Sequence, residues 1–147
     1  MILADRISEW LKGHRDAIEF VLTAHEIAEL WDDLIDRDKP VEDISINVAF
    51  YKALVALPRN RFYQENFTLL NPVLESSILD WLTANQFEKS KEAEKLRHAW
   101  GLRFSPFALT VMSARIIGGF EWAQKVNAEF RALGEPWERY AKEHGVV

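Results

Sequence analysis

The stretch His25-Glu26-Ile27-Ala28-Glu29-Leu30-Trp31-Asp32-Asp33-Leu34-Ile35-Asp36 holds the chain's densest set of groups able to do chemistry. On a helix advancing about 100° per residue, His25, Glu29, Asp32 and Asp36 fall within a stripe roughly 60° wide, with Glu26 and Asp33 beside it. Carboxylate oxygens with one imidazole suit Mg²⁺ or Mn²⁺, so His25, Glu29, Asp32, Asp33 and Asp36 are candidate metal ligands. Glu29 with Asp32 and Asp33, and Asp32 with Asp36, are like-charge pairs, each costing ~0.2–0.5 kcal/mol at helical spacing. A bound cation would offset that cost, and so would basic side chains from a neighbouring helix or from a partner protein. A solvated helix face needs no compensating group beyond water, and it is the plain alternative.

Asp32-Asp33-Leu34-Ile35-Asp36 is similar to the DDxxD motif of prenyl diphosphate synthases. In that family such carboxylates hold Mg²⁺ against a diphosphate. The resemblance covers five residues, and no second cluster of this kind occurs in the chain, so the chemical analogy is kept and membership is not. Glu26, Glu29, Asp33 and Asp36 are also loosely similar to the Glu-rich Mg²⁺ motifs of the all-α nucleotide pyrophosphatases, with His25 where a Glu would be expected.

A second set of polar residues interrupts apolar helix faces. Arg115 lies on the stripe Ala108, Val111, Met112, Gly119, Trp122 and Val126, and Glu75 sits between Leu79 and Leu82. Asn47 interrupts an apolar helix, and Asn85 shares a side with Leu74, Ile78 and Trp81. If Asn47, Glu75, Asn85 and Arg115 converged, they would form a buried polar network able to line a ligand pocket. Nothing else points to a known catalytic plan, because P-loop, GxGxxG, HExxH and GxSxG patterns are all missing.

The elements that must position these groups are helices. The chain has 147 residues, 48% hydrophobic and 28% charged, with six Trp and nine Phe to fill a core. No segment alternates with period two, and no Asn-Gly or Asp-Gly turn occurs. Helices are expected over about 3–12, 16–38, 46–57, 71–87, a stretch ending near 102, 105–133 and 137–143, punctuated by Gly13, Pro40, Pro58, Asn71-Pro72, Ser105-Pro106, Gly134 and Pro136. Residues 88–94 read equally as helix or as a bend. The segment near residues 45–57 is apolar almost all round, which predicts a helix buried by its neighbours. The expected fold is therefore all-α, one domain over residues 1–147, a bundle of roughly five to seven helices around that central element.

With no cysteine, a disulfide framework and thiolate metal sites are excluded. A net charge of −5 argues against a nucleic-acid partner. The first residues do not resemble a secretory signal, and no run is long and apolar enough for a membrane span, so a cytoplasmic protein is expected. The leading functional expectation is a binding or assembly role, with a homo-oligomer or another protein as partner. The alternative is a Mg²⁺- or Mn²⁺-dependent enzyme acting on a phosphate or diphosphate through the acidic helix, with Arg115 meeting the phosphate.

Overall fold

A computed structural model of the chain describes residues 2–146. Every regular element among them is helical, as the absence of period-two patterning predicts. Their contacts divide the chain into two compact units, residues 1–67 and 68–147.

The first unit is built from α1 (Ile2–Trp10), α2 (Arg15–Asp36), α3 (Asp43–Tyr51), a π-helical turn (Lys52–Ala56), α4 (Leu57–Arg59) and α5 (Arg61–Glu65). Gly13, at φ +70°, lets the chain reverse after α1. His14 then caps α2, its Nδ1 accepting a hydrogen bond from the Ala17 N–H at 3.3 Å. Arg37, in the left-handed region, closes α2 near the expected place. Asn60 does two jobs: its Oδ1 caps α5 by accepting from the Tyr63 N–H, and its Nδ2 donates to the Asp16 carbonyl, each at 2.9 Å. That pair of bonds ties α5 to the start of α2. The apolar residues there are fully packed, with Ile7, Trp10, Leu11, Ala17, Phe20, Val21, Leu57, Phe62 and Tyr63 all buried. The Phe20 and Tyr63 rings stack at 4.8 Å.

The core of this unit thus gathers at the beginning of α2, and of the apolar segment 45–57 expected at its centre only Leu57 is buried. None of α3 or the π turn is buried. Phe50 is 60% and Leu54 71% exposed. The reason is numerical: a helix apolar on every side needs neighbours on every side, and within this unit α2 covers only one flank. The segment also does not stop at Pro58. The chain widens into the π turn, whose last bond runs from the Leu57 N–H to the Lys52 carbonyl, and resumes as α4 with Pro58 in its first turn.

The second unit holds most of α6 (Phe67–Ser90), then α7 (Ala93–Leu102), α8 (Phe107–Gly118), α9 (Phe120–Ala132) and α10 (Trp137–Glu143). α6 begins earlier than the Asn71-Pro72 signal suggests, so Pro72 lies inside it and leaves one carbonyl of the opening turns without its helical donor. The open question at residues 88–94 is settled as a bend: Lys91 takes φ +55° between α6 and α7. The expected single helix over 105–133 is broken at Gly119 into α8 and α9, which pack on each other. Ala84, Leu96, Ala99 and Tyr140 form a buried cluster, flanked by Phe87, Trp100, Leu102, Trp137 and Val146. The Phe107 and Phe130 rings stack at 4.0 Å. Those two breaks, with α4 and α5 as separate turns, bring the number of helical segments above the expected five to seven. No helix among the described residues is long and apolar enough to cross a membrane.

Candidate functional site

The acidic stripe lies on the second half of α2. Glu29 and Asp36 are exposed, while His25, Asp32 and Asp33 are half-buried. Burial lowers the His25 imidazole below its ordinary 6.5, so it favours the neutral form. Two of the neighbouring carboxylates already meet lysines: Lys52 reaches across from the π turn to Glu26, and Lys39 lies 3.3 Å from Asp33. Among the described residues, no group of three or more His, Asp or Glu side chains is arranged to hold a metal ion. The geometry of one helix explains this. Carboxylates on successive turns are separated by about 5.4 Å of rise, so a cation needs further ligands from a second helix, and at Glu26 the facing group is the cation of Lys52.

The expected buried network around Arg115 and Glu75 does not form. Asn47, Glu75 and Arg115 are all exposed, and only Asn85 is half-buried. The stripe through Arg115, Gly119 and Trp122 exists only along one helix continuing through Gly119. Because the chain breaks there, α8 packs through Leu109, Thr110, Ser113 and Ala114, and Arg115 falls on its far side.

The polar network that does exist centres on Glu88, which the sequence did not single out. Its carboxylate accepts hydrogen bonds from Arg103 Nε at 3.0 Å, Arg103 Nη2 at 2.5 Å and the Tyr140 hydroxyl at 2.6 Å. Arg103 Nη2 also donates to Asn85 Oδ1 at 2.8 Å, and His144 Nε2 lies 3.7 Å from Glu88. Burial pushes the Glu88 carboxyl up, but the hydrogen bonds from Arg103 and Tyr140, with the Arg103 charge, more than offset this and leave it below its ordinary value. The Tyr140 hydroxyl is raised by its burial and by Glu88. Arg103 and the Tyr140 hydroxyl both donate to Glu88, which makes the cluster a clamp joining α6, the end of α7 and α10. The one legible signal was that Asn85 and Glu88 are three apart and share a helix side.

The first unit also carries an open apolar groove. Ile27, Leu30, Trp31, Leu34 and Ile35 of α2, with Ala49 and Phe50 of α3 and Ala53 of the π turn, line a groove of about 410 Å³. The apolar side of α2 is therefore covered at Phe20 and open from Ile27 onward. On the other flank of the α2–α3 seam, Glu26, Leu30, Ile44, Ser45, Val48, Ala49 and Lys52 line a smaller hollow of about 260 Å³. Trp31, Ile35, Ile44, Val48, Phe50, Tyr51 and Leu54 are all exposed large apolar side chains on these two helices and the π turn.

Comparison of the chain with protein-family models, curated proteins and solved structures finds no match in any of the three.

Proposed function

We propose that this protein is a binding module whose working surface is the open apolar groove between α2 and α3. One observation carries the reading: the exposed side chains of Trp31, Ile35 and Phe50 line a concave apolar groove, and Ile44, Val48, Tyr51 and Leu54 lie exposed on the same adjoining elements of one small unit. Contiguous exposed apolar surface costs solubility unless something covers it, and such patches mark sites of association. At about 25 cal/mol per Å² of apolar surface removed from water, covering it is a substantial driving force for docking. The occupant can be another protein or a second copy of this chain. The metal-dependent alternative draws no comparable support, since the carboxylates of α2 are not gathered around one point.

Nile red, a neutral dye that brightens in apolar surroundings, tests this reading. Its fluorescence is expected to rise and shift to the blue with the parent protein. Phe50→Asp and Ile35→Asp, both at exposed groove positions, should abolish the signal while leaving the melting temperature within a degree or two, because surface changes alter stability by only about 0.5 kcal/mol. Undiminished dye binding in both variants would overturn the reading. So would a large loss of stability in both, which would mean that these side chains are core.

A further inference from the structure

We infer that the occupant of the α2–α3 groove is a basic amphipathic helix of a partner protein. The inference rests on the groove reading and adds the partner's shape and charge.

The shape follows from the walls. Both are helical, so their backbone N–H and C=O groups are engaged within the helices and cannot pair with an added strand. The lining is almost wholly hydrocarbon and aromatic, with no polar group to orient a small polar molecule. A trough between two packed helices does accept the side-chain ridge of a third. From Ile27 to Ile35 the wall rises about 12 Å, two helical turns. An occupant therefore presents anchors spaced i, i+3 or i+4, i+7, the pattern of helix-in-groove recognition.

The charge follows from the border. Over residues 26–43 the chain carries eight carboxylates, Glu26, Glu29, Asp32, Asp33, Asp36, Asp38, Glu42 and Asp43, against the cations Arg37 and Lys39. Lys39 pairs with Asp33 and Lys52 with Glu26, and with Lys52 counted the formal charge of the segment is still negative. Asp32 lies about 60° beyond Ile35 around α2 and Asp33 about 60° beyond Leu30, so a carboxylate flanks each edge of the α2 wall. A second copy would bring the same excess against this one, well inside the ~8 Å screening length of physiological salt. Phosphate-rich partners meet the same repulsion. Lys or Arg flanking an apolar helix face meets attraction and is steered to the groove.

The test uses labelled peptides of roughly 18 residues, long enough to form a helix on binding. One places Leu at the i, i+3 or i+4, i+7 positions and Lys elsewhere, and its counterpart carries Glu in place of every Lys. Fluorescence anisotropy is measured with the full-length protein, with Phe50→Asp and with Ile35→Asp, at low and high salt. The Lys peptide is expected to bind at least about tenfold more tightly than the Glu peptide, to weaken in salt and to lose binding in both variants. Each variant adds a negative charge, so Lys-peptide binding that persists or strengthens in them would show attraction to acidic surface without the groove, and would overturn the inference. Equal binding of both peptides, lost in both variants, would overturn the basic partner and leave the groove reading standing. A parent that sediments as a dimer, dissociates in Phe50→Asp and ignores both peptides would replace the partner with a second copy, again leaving the groove reading intact. Binding of neither peptide by a monomeric protein would overturn the inference, with the dye experiment deciding the groove reading separately.

Discussion

Glu88 shows how much one carboxylate can organise when its partners come from distant parts of the chain. Arg103 is 15 residues away and Tyr140 is 52, so no local pattern couples them, whereas Asn85 could be noticed because it breaks an apolar helix side. Truncating Arg103 to Met should cost about 1.5–3 kcal/mol, the range for hydrogen bonds to a charged group, measured by urea unfolding near neutral pH. Two groups make stability depend on pH, both in the same direction. His25 is depressed by burial, so its contribution is complete above 6.5 and is lost as pH falls through its lowered folded value. Glu88 is likewise depressed, and its contribution is present above 4.5 and lost on further acidification. Unfolding free energy should therefore begin to fall below about pH 6.5 and fall again below about 4.5. His25→Gln should flatten the first decline and Glu88→Gln the second; a profile unchanged in both variants would dissociate these side chains from acid sensitivity.

At the scale of elements, the largest departure from sequence expectation occurs at two adjacent glycines. Gly119 adopts φ +88° and ψ −178°, a region essentially reserved for glycine. It turns one apolar run into the helix pair α8–α9. A Cβ there would meet nothing within 4 Å, so the effect of Gly119→Ala isolates backbone strain, expected at about 1–3 kcal/mol by thermal or denaturant unfolding. Gly118 is needed for a different reason, because a Cβ would collide with the Trp122 side chain. Two glycines within an unbroken helical periodicity signal a weak point, but propensity cannot say whether the helix bends or ends. In α2 the like-charge spacing remains a local cost. Glu29→Gln should raise stability by ~0.2–0.5 kcal/mol at low ionic strength, and the gain should shrink in high salt. A loss of stability instead would assign Glu29 a favourable partner.

Taken over the whole molecule, apolar side chains are not sorted by type between inside and outside. Leu96 is fully buried in the second unit, while Leu54 in the first is largely exposed. Leu96→Ala should therefore cost about 2–5 kcal/mol, and Leu54→Ala should stay within about 0.5 kcal/mol, compared by the same denaturant titration. Comparable losses in both would place Leu54 in a core.

The sequence by itself determined the helical class, the short helix ended by Gly13, the long acidic α2 and the boundaries near Pro40, Pro106 and Gly134, since these depend on periodicity and on the conformational limits of single residues. Tertiary structure decided which apolar faces were covered. Hydrophobicity shows that a face is suited to burial but does not supply the neighbour that buries it, and within its own unit α3 is covered on one flank by α2. The same distinction separates Arg115 from Arg103: each is a cation among apolar residues in sequence, and only the fold gives Arg103 its carboxylate, at Glu88, while turning Arg115 outward.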